Sequence, residues 1–290
     1  MNPVRKAVIP AAGFGTRFLP FTKAVPKELV PVVDKPVIQY VLEEAAASGI
    51  TEAAIIVSDG KEAIGRHFAP VTALYDRLRH DGKLALLESL EAIDGLMKLT
   101  YIPQTELKGL GDAVLRAAEF VAGEPFAILL GDTVTTSTNG VPVTRQLIDA
   151  AMKAGGAVTA LERVPRELTN RYGVVDGVED PDGLVHVKTF VEKPAPEEAP
   201  SNLAIASRYV MTPEIFGFLR NGKPGKGGEI QLTDAMRALC AVQPMFGLVF
   251  HGRRHDVGSK LDFVKANLEF ALDRPEFHDQ LADWLKELKV

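Results

Sequence analysis

The sequence predicts an α/β fold: a mixed, mostly parallel central sheet flanked by helices, with an antiparallel β-hairpin element and C-terminal helices. Three observations lead there. Short apolar or β-branched runs (KAVIPA, EAAIIVS, KLTYIPQ, PFAILLGD) alternate with helical patterns such as VIQYVLEEAAASG and LGDAVLRAAEFVAG, the rhythm of parallel strands joined through covering helices. GVVDGVEDPDGLVHVKTFVEKP then breaks that rhythm, because two alternating segments flank Asp180-Pro181-Asp182-Gly183, a turn signal for an antiparallel hairpin. From Leu261 onward two helical segments, LDFVKANLEFALD and PEFHDQLADWLKEL, meet at Arg274-Pro275, where proline permits a second helix to start. The arrangement is Rossmann-like.

The remaining elements fit around this frame. Leu74 to Met97 is strongly helical and lies between a strand-helix unit and the next strand, so it reads as an inserted helical arm and not as a separate domain. After the hairpin come a strand, NLAIASRYVM, a helix beginning near Pro213, and a helix in IQLTDAMRALCAV. The loop NGKPGKGGE before that last helix is a candidate mobile or binding element. No repeat, low-complexity tract or interdomain linker interrupts the 290 residues, so residues 1–290 are expected to fold as a single domain. The apolar faces of the arm and of the helices over 259–290 need partner surfaces, and a homodimer or homotetramer is expected.

Composition excludes some functions. A formal net charge of -5 argues against a broad nucleic-acid footprint, which needs an excess of Lys and Arg on one face. Any bound anion must meet a local cationic site. No stretch approaches the roughly 20 apolar residues of a membrane span. The start, MNPVRKAVIPAAG, is charged like a signal peptide, but its apolar part is short and runs into a glycine turn. The single cysteine, Cys240, cannot form an internal disulfide and reads as a buried inert thiol, which fits a reducing cytoplasm.

The segment AVIPAAGFGTRFLPFTKAVPKELVPVVDKP concentrates the chemistry. A strand followed by Gly13-Phe14-Gly15-Thr16-Arg17 offers backbone N–H groups with little bulk to block a phosphate. The third glycine of a dinucleotide fingerprint is absent, since Phe18 stands there, and so is the terminal Gly-Lys-Ser/Thr of an ATPase loop. The cations that follow favour a polyphosphate: Arg17 carries a planar fork, and Lys27 sits in an otherwise apolar VPKELVP. Lys23 and Lys35 read as solvated loop charge. Asp132 ends a strand in LLGD, and Asp256 in HDVGSK follows the strand pattern MFGLVF. At a sheet's carboxyl edge such residues either cap turns or hold a hard cation, and together the two could hold Mg²⁺.

These residues carry a resemblance. PAAGFGTRFLPFTKAVPKELVPVVDKPVIQYVLEEA, followed in order by QTELKGLGDAV, LLGD, RYGVV, FVEKP, NLAIASRYV, GGEIQLTDA and HDVGSK, resembles the sugar-phosphate nucleotidylyltransferase family over nearly the whole chain. Within it, the arm at 74–97 and the HDVGSK ending point to the bacterial UTP:glucose-1-phosphate uridylyltransferases. The resemblance implies Mg²⁺ bound by Asp132 and Asp256, and catalytic roles for Arg17, Lys27 and Lys193. It implies nucleotide contacts at Ala11, Ala12, Gly13, Gly15, Thr16, Glu28, Gln104 and Gly109, with Glu28 reading the base. On the sugar side it implies Gly173 approaching the ring, Glu192 accepting from its hydroxyls and Lys193 on the phosphate. By strand alternation alone, Glu192 and Lys193 would face opposite ways. Asp112 stands where many relatives carry histidine, and Phe21 where they often carry alanine. His255 reads as a packing residue.

The implied reaction joins UTP and glucose 1-phosphate into UDP-glucose and pyrophosphate. The attacking phosphate oxygen is already an anion, so the protein supplies position and charge neutralisation in place of a base or nucleophile. A thymidylyltransferase acting on dTTP is the nearest rival, and a noncatalytic nucleotide-sugar sensor is the rival of another class.

Overall fold

The computed structural model describes residues 1–225 and 228–288. Lys226 and Gly227 of the loop NGKPGKGGE therefore lie outside the described residues. The strands are β1 (Lys6–Pro10), β2 (Pro31–Val32), β3 (Lys35–Pro36), β4 (Glu52–Val57), β5 (Lys98–Pro103), β6 (Phe126–Leu129), β7 (Thr133–Ser137), β8 (Ala157–Arg163), β9 (Gly173–Glu179), β10 (Leu184–Glu192), β11 (Leu203–Met211), β12 (Met245–Val249) and β13 (Gly252–Asp256). The main sheet has the order β5-β4-β1-β6-β11-β8-β12-β10-β9. Its first four strands are parallel. β11 then enters antiparallel to both β6 and β8, and β9 and β10 form the expected hairpin. Parallel pairing thus governs the β5-to-β6 half, and mixed pairing governs the rest.

β1 reads as a continuous apolar run because both of its faces are covered. Val8 packs into one core with Phe126, Val114 and Met236. Ala7 and Ile9, one step out of phase, pack into the other with Leu42, Leu147 and Val158, as strand alternation requires. Helices Val37–Ala47 and Val143–Ala154 cover the second face, and Leu110–Arg116 and Leu232–Cys240 cover the first. From β1 the chain moves outward through β4 to β5, then returns to β6 on the other side of β1. That reversal opens a crevice at the carboxyl ends of β1 and β6, where ligands collect in open α/β sheets.

The arm is a pair of helices, Thr72–His80 and Leu84–Asp94, split by a turn in which Gly82 takes φ 69°. Tyr75 Oη donates to Asp94 Oδ2 at 2.5 Å and ties the pair together. Of the C-terminal helices, Lys260–Leu272 packs on the core through Phe263 against Phe18 and Phe270 against Tyr40 and His255. Pro275–Glu287 leaves Phe277 and Trp284 exposed. Cys240 is half-buried and not buried as expected, because it sits on the edge of its helix's apolar face; what burial it has raises its thiol pKa.

Candidate active site

The glycine turn leaves β1 at the crevice. Gly15 takes φ 68°, and a Cβ there would lie 2.9 Å from Lys27 Cβ, so both backbone and space demand glycine. That close approach sets Lys27 against the turn. Its Nζ lies 2.5 Å from Asp132 Oδ2. Burial alone would lower the lysine's pKa, but the charges of Asp132 and Glu28 and the hydrogen bond to Asp132 together outweigh it and the pKa is raised. Burial would likewise raise the aspartate's, and Lys27 reverses this to a lowered value. Both groups are therefore held charged. Ala12, Gly13, Gly15, Thr16, Arg17, Lys27, Gln104, Gly109 and Asp132 line one cavity of about 620 Å³.

Asp132 and Asp256 are brought together by two strands that the sequence did not announce. β7 and β13 pair antiparallel with Thr133 opposite Asp256, which sets Asp132 beside Asp256. TVTTS is β-branched but short and GRRHD is polar, and neither carries the apolar alternation that would show what it pairs with. A Cβ at Gly258 would lie 3.1 Å from Asp256 Oδ1, 3.4 Å from Asp132 Oδ2 and 3.4 Å from Arg17 Nη1. Glycine thus keeps open a gap shared by two carboxylate oxygens and a guanidinium, and Arg17 Nη1 donates to Gly258 O at 3.1 Å. Among the described residues no group of three or more His, Cys, Asp or Glu side chains could hold a metal. A cation here would complete its shell with water or phosphate oxygens, which suits Mg²⁺. The residues fit that ion.

Two buried ion pairs support this surface. Lys61 Nζ meets both oxygens of Glu28 at 3.0 and 2.8 Å and also donates to the carbonyls of Gly13, at 2.7 Å, and Ala11. Glu28 is fully buried, so it does not face the cavity as the base-reading expectation required. Its carboxylate is taken up by Lys61. Ala11 is also buried, with its carbonyl turned to the same lysine. Nothing in DGKEAIG marks Lys61 by pattern. Behind the aspartates, fully buried Arg208 pairs with Glu44 at 2.8 Å and donates to Thr133 O at 2.8 Å. Glu44 also accepts from the Thr135 and Thr144 hydroxyls, each at 2.7 Å. This network fixes the backbone next to Asp132.

Gln104, at the end of β5, is buried and its loop is pinned from outside. Gly109 takes φ 101°, and a Cβ there would meet Ile230 O at 2.9 Å. Ile230 N donates to Lys108 O and Gly111 N to Ile230 O, at 2.7 and 2.8 Å. Glu229 and Ile230 thus clamp the loop of QTELKGLGDAV.

Gly173, Glu192 and Lys193 form a second group on the hairpin. Gly173 pairs with Glu192, and a Cβ there would lie 2.8 Å from Ile205 Cδ1 and 3.3 Å from Glu192 Oε2. Lys193 takes φ 47° and its Nζ comes 3.1 Å from Glu192 Oε1. The expected opposition of these two side chains fails because the strand ends at Glu192. Arg254 links the two groups: it stacks on Tyr172 at 4.9 Å, pairs with Glu162 at 2.5 Å and lies 3.6 Å from Asp256. Two residues before Asp256 on β13, it shares that residue's face. His255 is buried between Thr136, Glu269 and Phe270, a packing role as expected. Lys35 is engaged by Glu43, and Lys23 is exposed.

The model of the nucleotidyl transferase family matches residues 6–272. A UTP–glucose-1-phosphate uridylyltransferase of Bacillus subtilis (strain 168) is 48% identical over 288 residues, 99% of this chain and 98% of the relative. Among solved structures, a UTP-bound UGPase from Acinetobacter baumannii superposes with a TM-score of 0.92 at 35% identity, covering 99% of this chain and 100% of that one. A UDP-glucose pyrophosphorylase complexed with UDP-glucose gives 0.86 at 37% identity, covering 93% of this chain and 100% of that one. The chain therefore belongs to the nucleotidyl transferase family, among its UTP:glucose-1-phosphate uridylyltransferases.

Proposed function

We propose that this chain transfers the uridylyl group of UTP to α-D-glucose 1-phosphate, giving UDP-glucose and pyrophosphate, by in-line displacement at the α-phosphorus without a covalent enzyme intermediate. The observation that carries this reading is one cavity in which the glycine turn, Arg17, Lys27, Gln104 and Asp132 converge, with Asp256 beside it across Gly258. The UTP-bound and UDP-glucose-bound relatives support the choice of substrates.

The roles follow from the chemistry. Gly13, Gly15 and Thr16 offer backbone to the triphosphate, and Arg17 and Lys27 neutralise it. Ala12, Gln104 and Gly109 face the uracil. Glu28 and Ala11 act from below, holding the turn through Lys61. Glu192 accepts from glucose hydroxyls beside Gly173, and Lys193 neutralises the sugar phosphate, so that the two anions can approach. Asp132 and Asp256 would hold Mg²⁺, which when bound neutralises charge on the reacting phosphates. Lys27, already on Asp132, would add its charge to the same phosphates. No general base is needed, because the attacking oxygen is anionic at neutral pH.

A cytoplasmic enzyme fits the absence, among the described residues, of a helix long and apolar enough to cross a membrane. A homodimer or homotetramer is proposed through the arm and the exposed face of Pro275–Glu287. The site assignment is tested by Asp132→Ala: with Mg²⁺ present, pyrophosphate release should fall by about 10³-fold or more, several kcal/mol of lost transition-state stabilisation. Full turnover in that variant would overturn the metal assignment.

A further inference from the structure

Gln104 is a primary amide whose two ends are chemically opposite, one donating and one accepting. At 3% exposure it is buried against the cavity. Its Nε2 donates to Asp112 Oδ2 at 2.7 Å and to Gly109 O at 3.3 Å. Both partners are acceptors only, since a carboxylate and a carbonyl have no hydrogen to give. Arg116 Nη2, 3.4 Å from Asp112 Oδ1, engages the carboxylate's other oxygen. Gly109 O also accepts from Ala113 N at 3.1 Å, but turning the amide over would set Oε1 against both oxygens and leave Asp112 Oδ2 without its donor, an arrangement that buried groups avoid. Among the described residues nothing donates to Gln104 Oε1, and that atom is not sealed off from the cavity.

We infer that Asp112 fixes the Gln104 amide so that the cavity presents an acceptor, and not a donor, to the base of the bound nucleotide. Asp112 is then a positioning residue for base selection. This rests on the reading that the cavity takes a pyrimidine nucleoside triphosphate. An imide pyrimidine carries a hydrogen on N3 and can donate it to Oε1. Cytosine carries a lone pair on N3, so the same oxygen repels it. Thymine shares the N3–H of uracil, so the device rejects cytosine without separating the two imide bases. The loop is rigid enough for this, because Gly109 is clamped against Ile230 and Asp112 sits in the first turn of Leu110–Arg116.

The experiment compares kcat/KM for UTP and CTP, with glucose 1-phosphate and Mg²⁺, in the full chain and in Asp112→Leu. Leucine keeps aspartate's branch at the γ-carbon, though it is larger, and cannot accept a hydrogen bond, so the amide is released. The UTP:CTP ratio should fall by about 10- to 100-fold, the scale of one mismatched buried hydrogen bond. The change should appear mainly in KM, with UTP weaker and CTP stronger. A purely structural role for Asp112 would lower both substrates together. An unchanged ratio in a variant with native circular dichroism would overturn the inference. If Asp112→Leu does not fold, Asp112→Ala decides on the same ratio, since it removes the acceptor on Gln104 Nε2 without adding bulk. Failure of the unmodified chain to turn over UTP at all would instead overturn the functional reading.

Discussion

Beneath the glycine turn and beneath the aspartate pair lie two buried carboxylate–cation contacts, and they are built differently. Under the turn, Lys61 is a point charge that gathers four oxygens from three residues. Under the aspartates, Arg208 is a planar fork spanning Glu44 and Thr133 O, with two threonine hydroxyls completing the carboxylate's partners. Electrostatics separates them further. Burial raises the Glu28 pKa and lowers that of Lys61, in each case against their mutual attraction. Burial would also raise Glu44, but Arg208 outweighs it and holds the carboxyl below its ordinary range. The pair under the glycine turn is therefore the softer one, and under the aspartates the Glu44 carboxyl is held toward its ionised form. A rigid platform suits two aspartates proposed to share one cation. A turn that meets a large flexible ligand can be held by a single adaptable ammonium.

The largest way to break this contrast is Arg208→Met, which strands Glu44 as an uncompensated buried charge. It should destabilise the fold by about 3–5 kcal/mol, read from the urea midpoint. Removing both charges, as Arg208→Met with Glu44→Leu, should recover part of that stability but not the turnover, because the anchor on Thr133 O is still gone. Recovery of both would show that the pair serves the fold alone.

Lys61→Met should be milder, about 1.5–3 kcal/mol, because Glu28 is already pushed toward its neutral form and can take up a proton. Its signature is a raised KM for UTP as the Ala11 to Gly13 turn loosens. A stability loss as large as that of Arg208→Met would contradict the softer assignment.

The smallest effect is a pH dependence. Glu44 has a depressed pKa in the folded state, so its contribution is fully present above the ordinary value of 4.5 and is lost as pH falls through the folded value. The stability difference between the unmodified chain and Glu44→Gln should be flat from neutral pH to about 5 and should shrink below about 4. A difference that grew on acidification would reverse the sign assigned to this carboxylate.

Much of the frame was legible because its signals are local. β1, β4, β5 and β6 are short apolar runs, the β9–β10 hairpin is marked by Asp180-Pro181-Asp182-Gly183, and Asp132 stands visibly at a strand end. What escaped depends on distant contacts. β7 and β13 are strands because they pair with each other and rest on the Lys260–Leu272 helix, so the closeness of Asp132 to Asp256 lies in a register that neither segment reveals alone. Lys61 looks like ordinary loop charge until it is found 33 residues away on Glu28. That same contact withdrew Glu28 from the base-reading role. Lys193 escaped its alternation because a left-handed φ follows the last residue of β10. The amide orientation of Gln104 is set by a residue eight positions on, in a helix whose spacing carries no such signal.

The most direct test of the whole account is pyrophosphate release measured over a grid of nucleoside triphosphates and sugar 1-phosphates with Mg²⁺. UTP with glucose 1-phosphate should give the highest kcat/KM, with dTTP following and CTP far behind. Turnover confined to a different pair, or binding of UDP-glucose without any pyrophosphate release, would contradict it.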